Sequence, residues 1–108
     1  MMDNEGISEL FAGLGRVSIR RMFGGKGIYH EGLIIAIEVG GELMLKADAS
    51  SAPDFLAAGS QQWTYTGKRH GKLVTMPYWT VPDDAMDDPD EMKVWAQRAY
   101  EAALRAGK

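Results

Sequence analysis

The sequence predicts an α+β domain, an antiparallel sheet covered by helices, in the order helix, three strands, helix, two strands, helix. Apolar residues recur every three or four positions near both ends of the chain and briefly in its middle. Between these segments the apolar pattern alternates with a period of two, and glycines separate the alternating runs. Because 108 residues have room for one core, we expect a single domain over residues 1–108.

The first helix is predicted from four apolar residues that fall on one helical face. These residues are Ile7, Leu10, Phe11 and Leu14. Asp3 or Asn4 is suited to cap its start, and Gly15 is placed to end it. We expect a short helix that is stabilised by packing on the sheet.

A strand over residues 17–23 follows, with Met22 and Phe23 expected to anchor it in the core. Because three of the next four residues are glycines, we expect a bulge over residues 24–27, after which the same strand resumes at Ile28. The apolar residues 33–39 predict a central strand, and the glycine pair at 40–41 predicts a tight hairpin to a strand over 42–47.

The second half of the chain is predicted as a helix, two strands and a longer helix. Ser51 and Asp54 have the spacing of a capping box, so a helix of one or two turns is expected up to Gly59. Strands are expected over residues 63–66 and 72–81, joined by a basic loop. The last helix is capped by Asp88 and starts at Pro89, so the acidic run before it has a structural explanation.

Composition bounds the class of protein. The chain has no cysteine, which excludes a disulfide framework and thiolate chemistry, and it has no run of 18 apolar residues. Its first residues are acidic, unlike those of a secretory signal peptide. We therefore expect a cytoplasmic protein, and the net charge of −3 argues against a protein that lives on bare nucleic acid.

The patterns of catalytic and metal sites are incomplete in this sequence. The glycines around Lys26 fit neither a phosphate-binding loop, which needs a hydroxyl residue after the lysine, nor a dinucleotide fingerprint. His30 and His70 are expected to be exposed turn residues, and the aspartates at 83–88 lack the spacing of a calcium loop. We therefore expect no enzyme, no catalytic residue, no cofactor and no metal.

Surface recognition is the remaining class of function. The candidate contact residues are Arg20, Arg21, Lys26, Lys68, Arg69 and Lys72. These six cations would form one basic patch if the second hairpin lay near the first strand. Aromatic residues at 29, 65, 78 and 79 would add the stacking surface that single strands and interfaces use, although the large aromatics and Met22 are expected in the core.

Two motifs resemble a known family. The first motif is Arg-Arg-Met-Phe-Gly-Gly at residues 20–25, followed by Gly27-Ile28-Tyr29, and the second is Met-Pro-Tyr-Trp-Thr-Val-Pro at residues 76–82. Both resemble the N-terminal domain of the TfoX/Sxy family of competence regulators. Further similarity lies at residues 46–48 and at Trp95-Ala96 with Ala99. The resemblance implies the same order of helices and strands. It also implies transcriptional regulation of DNA-uptake genes together with a cyclic-AMP-responsive activator, in proteins that carry a second, helical domain.

The leading hypothesis is therefore a non-catalytic regulatory domain that contacts a protein partner, such as a transcription activator. The alternatives are direct nucleic-acid binding through the basic patch and, less favoured, a small-molecule pocket near residues 24–27 in which Arg21 holds an anion. Homodimerisation through an exposed strand is a separate hypothesis.

Overall fold

Six antiparallel strands form one sheet, and four helices pack on it, within the residues that the computed structural model describes, 3–22 and 24–107. The elements in chain order are α1 (Asn4–Leu10), β1 (Ser18–Met22), β2 (Gly25–His30), β3 (Leu33–Val39), β4 (Glu42–Lys46), α2 (Ala52–Ala57), β5 (Gln62–Thr66), β6 (Leu73–Thr80), α3 (Asp83–Met86) and α4 (Pro89–Ala106). The strand order across the sheet is β1-β2-β3-β4-β6-β5, so β1 and β5 are its two edges.

The main core lies between the helices and one face of the sheet. Helical residues such as Ile7, Phe55 and Trp95 meet strand residues such as Ile28 and Leu45 in one buried cluster. Three alanines of α4 at positions 96, 99 and 103 are also buried there, and their small side chains let this helix approach the sheet closely. The two-layer arrangement therefore follows from the apolar stripe of α4 and the apolar strands that it covers.

The opposite face of the sheet carries a second, smaller apolar cluster. It consists of the buried residues Ile37, Met44 and Tyr78, with the partly buried residues Ile34, Val39, Trp63 and Met76 packed against it. All seven belong to strands, so no described helix contributes to this cluster. We call these seven residues the strand-face cluster.

The helix starts largely match the sequence expectations. Asp3 caps α1 by accepting a hydrogen bond from the Gly6 backbone N–H at 2.7 Å, and Asp88 caps α4 by accepting from the N–H groups of Asp90 and Glu91. The prediction of a capping box at Ser51 is wrong. The Ser51 side chain makes no capping hydrogen bond to α2, and its Oγ accepts a hydrogen bond from the Asp48 N–H at 3.0 Å instead. The short helix α3, inside the acidic run, was not predicted.

The prediction of one strand interrupted by a glycine bulge is wrong, because β1 and β2 form a hairpin. Gly24 has φ of +73°, a conformation that favours glycine, and the chain reverses there so that Met22 pairs with Gly25. The expected core position of Met22 is also wrong, since its side chain is 44% exposed at the end of an edge strand. The prediction for Phe23 lies outside the described residues.

Candidate functional site

The first basic segment, defined here as Arg20, Arg21 and Lys26, lies on the β1–β2 hairpin. Arg21 is directly opposite Lys26 in the sheet register, and Arg20 is opposite Gly27. Because successive strand residues point to opposite faces, Arg20 projects from one face and the Arg21–Lys26 pair from the other. The segment is thus divided between the two faces of the sheet.

Arg20 lies on the same face as the strand-face cluster. Its guanidinium carbon is 5.2 Å from the centroid of the Tyr29 ring, within the range of a cation–π contact. A Cβ on Gly27 would lie 3.1 Å from Tyr29 Cε1 and 3.3 Å from Ile34 Cδ1. Gly27 therefore leaves room for the Tyr29 ring beneath Arg20. The Arg20 guanidinium is held in place by this ring, beside apolar side chains.

Lys26 and Arg21 lie on the helix side, at the end of the hairpin. Lys26 Nζ donates a hydrogen bond to Asn4 Oδ1 at 2.8 Å, which connects β2 to the first residue of α1. Both cations line a surface cavity of about 270 Å³, together with Gly24 and Glu38. This cavity lies at the position predicted from the sequence for the alternative small-molecule pocket, near residues 24–27.

Glu38 gives this cavity a mixed charge. Its side chain is only 1% exposed, and Oε2 accepts from the Gly41 N–H at 3.0 Å. Its other oxygen, Oε1, is buried and has no hydrogen-bond partner among the described residues. The wall therefore holds two basic side chains and one acidic side chain, and the anion that Arg21 was predicted to hold stays a prediction.

The second basic segment, defined here as Lys68, Arg69 and Lys72, lies in the loop between β5 and β6. The loop is closed by two backbone bonds, from Gly67 N–H to the Lys72 carbonyl at 2.8 Å and from Gly71 N–H to the Gly67 carbonyl at 2.9 Å. All three cations are exposed. The loop thus presents its charges at the tip of a hairpin.

The two basic segments lie far apart on the sheet. Strands β1 and β5 are opposite edges, separated by five strand spacings or about 24 Å. The antiparallel registers also place Gly24 and residues 67–72 at opposite ends of the sheet. The condition for a single basic patch is therefore not met, and each segment remains a separate predicted contact surface.

The two histidines differ in environment. His70 is exposed in the basic loop, as expected, and its Nδ1 accepts from the Lys72 N–H at 3.0 Å. The prediction of an exposed His30 is wrong: it is 9% exposed, and its Nδ1 lies 2.8 Å from the Arg16 carbonyl oxygen. Its ring meets the Tyr100 ring edge-on at 4.7 Å, so His30 connects the sheet to α4.

The aromatic residues divide between the two faces of the sheet. Trp79 is buried in the main core, as expected, whereas Tyr78 and Trp63 belong to the strand-face cluster. Burial raises the pKa of the Tyr78 hydroxyl, which keeps it neutral. Sequence reasoning missed this cluster, although the nearly continuous apolar run of β3 indicates a strand with apolar side chains on both faces.

The acidic run at 83–91 serves the starts of α3 and α4. Across residues 3–22 and 24–107, no three His, Cys, Asp or Glu side chains lie close enough to hold a metal ion. None of the helices in this part of the chain combines the length and the hydropathy needed to cross a membrane.

The arrangement defines a two-layer α+β domain with an uncovered, partly apolar sheet face and basic residues at two distant corners. Comparison with protein families matches residues 9–103 to the TfoX N-terminal domain. The chain therefore belongs to the TfoX N-terminal domain family, which confirms the resemblance of the two motifs. The comparison with curated proteins returns no match.

Proposed function

We propose that this chain is a non-catalytic regulatory domain that acts through contact with a protein partner, in transcriptional control of DNA-uptake genes. The match to the TfoX N-terminal domain over residues 9–103 carries the proposal, because that family is associated with competence regulation. The partner expected from the resemblance is a transcription activator.

The surface around Arg20 supports contact with a protein. Arginine and tyrosine are enriched at the centres of protein interfaces, where a planar cation over an aromatic ring binds at a low entropic cost. Arg20 and Tyr29 form such a pair beside the strand-face cluster. Among the described residues, no cation–π contact joins a cation of the second basic segment to an aromatic ring.

A comparison of two double variants tests the proposal. Arg20→Ala with Arg21→Ala and Lys68→Ala with Arg69→Ala each remove two cations, from opposite corners of the sheet. We expect affinity capture from the source cells to recover a transcription activator with the wild type and with the second variant, but not with the first. Equal recovery by all three proteins would show that the β1 surface is not the contact.

Direct nucleic-acid binding is the competing hypothesis, and the separation of the basic segments weakens it. Three cations at each corner would neutralise few phosphates, so binding would be weak at physiological salt. We expect no retention of duplex or single-stranded DNA at physiological salt in a fluorescence-anisotropy titration. Sequence-independent binding that both double variants weaken equally would instead favour the nucleic-acid hypothesis.

A further inference from the structure

The two edges of the sheet differ in how they are protected. An edge strand presents unpaired backbone N–H and C=O groups, and proteins block such edges with charged residues or proline. Edge strand β1 contains Arg20 and Arg21, whereas edge strand β5, with the sequence Gln-Trp-Thr-Tyr-Thr, has neither charge nor proline. Its last three residues are exposed.

The backbone of β5 is suited to pair with a further strand. Gly67 N–H bonds to the Lys72 carbonyl, and the direction of backbone groups alternates along an antiparallel strand. The N–H and C=O groups of Tyr65 therefore face β6, and those of Thr64 and Thr66 face outward. The register irregularity between β5 and β6 leaves β5 continuous. Between two paired positions, one residue of β5 (Trp63) lies opposite three of β6 (76–78), so the extra residues, Pro77 among them, belong to β6.

The sequence of β5 is complementary to itself. If two copies pair antiparallel about a two-fold axis at Thr64, the outward-facing threonines form a hydrogen-bonded pair, and Trp63 of each copy lies opposite Tyr65 of the other. Threonine pairs and aromatic pairs are favourable across neighbouring strands. Trp63 and Tyr65 already contact each other within one copy, with ring centroids 5.9 Å apart, and Tyr65 is 46% exposed.

We propose that the chain forms a homodimer through β5, with a two-fold axis at Thr64 that joins the two sheets into one. The second copy is the occupant that these observations favour, since the pairing requires an uncharged strand that is complementary to itself. The inference is independent of the proposed regulatory function. It leaves the Arg20 surface of both copies accessible, because β1 is the opposite edge of the sheet.

Sedimentation velocity on the full chain tests the association. Because a five-residue strand forms a small interface, we expect a monomer–dimer equilibrium with a dissociation constant between about 10 µM and about 1 mM. Thr64→Lys would place two cations at the axis and raise the dimer dissociation constant about fivefold or more. Thr75→Lys is the matched control, since it adds the same charge on β6, opposite Thr64 but away from the edge, and should leave the equilibrium unchanged.

Cross-linking tests the register. The chain has no cysteine, so a single introduced thiol gives an unambiguous signal. A hydrogen-bonded antiparallel pair has Cα atoms about 5.5 Å apart, within the range for a disulfide. We expect oxidation to cross-link Thr64→Cys into a dimer and to leave Thr75→Cys monomeric. A wild type that stays monomeric at about 1 mM, or a dimer in which the two cysteine variants cross-link equally, would overturn the proposal.

Discussion

Replacing Gly25 by alanine perturbs a point where β2 lies close to the backbone of β3. A Cβ at this position would lie 1.9 Å from the Glu38 carbonyl oxygen, 3.0 Å from the Glu38 carbonyl carbon and 3.2 Å from Val39 Cα. All three atoms belong to the backbone, so no side-chain rotation relieves the overlap. Gly25 is therefore required by space, within the Gly24-Gly25 pair of the family motif.

The magnitude follows from the displacement that alanine would need. The shortest favourable C···O contacts are about 3.3 Å, so β2 and β3 would have to separate by about 1.4 Å at this end. A shift of that size takes backbone hydrogen bonds beyond the distance at which they form. Loss of two such bonds, at about 1 kcal/mol each, predicts that Gly25→Ala lowers the free energy of unfolding by about 2 kcal/mol.

Gly24→Ala is the matched control, because Gly24 has positive φ but no atom within 4 Å of a Cβ. Its cost is backbone strain alone, about 1 kcal/mol. Urea unfolding of both variants, followed by circular dichroism at equilibrium, gives the two values. A Gly25→Ala variant that is as stable as Gly24→Ala would refute the close approach of β2 and β3.

Three further predictions concern the ends of the sheet and its contact with α4. The hydrogen bond from the Arg105 guanidinium lowers the pKa of Asp48 from 3.8 to about 2. The stabilisation by this pair is therefore complete above about pH 4 and is lost as the pH falls from about 4 to about 2. In Arg105→Ala, the free energy of unfolding should depend less on pH in that window, as measured by circular dichroism. His30→Ala removes a buried ring that packs edge-on against Tyr100 and should cost about 2–3 kcal/mol in urea unfolding; a cost below about 0.5 kcal/mol would contradict its burial. Met22→Ala should change the free energy of unfolding by less than about 0.5 kcal/mol in the same assay, since Met22 is 44% exposed; a loss of 2 kcal/mol or more would restore the predicted core position.

Elements that are determined by local chemistry were predictable from the sequence. The start of α4 depends on Asp88 and Pro89, and the β3–β4 turn depends on two glycines that both adopt positive φ. The β1–β2 hairpin was missed because its glycines, Gly24 and Gly25, suit a bulge and a reversal equally well. The antiparallel pairing of β1 with β2, in which Met22 lies opposite Gly25, decides between them.

The candidate surfaces were predictable as residues but not as an arrangement. Charge and exposure of Arg20 and Lys68 can be read from their positions in polar, glycine-rich segments. Their separation depends on the strand order, in which β6 inserts between β4 and β5. The burial of His30 also depends on tertiary contacts, because its partners Arg16 and Tyr100 are distant from it in sequence and meet it only in the folded chain.

We propose that the chain regulates transcription through the surface of edge strand β1, where Arg20 and Arg21 project from opposite faces of the sheet. Transcript levels in the source cells test it most directly, in a deletion strain that is complemented with the wild type or with the Arg20→Ala, Arg21→Ala double variant at equal protein levels. We predict that deletion lowers the transcripts of DNA-uptake genes and that only the wild type restores them. Unchanged transcripts after deletion would contradict the regulatory function, and full restoration by the double variant would contradict the surface.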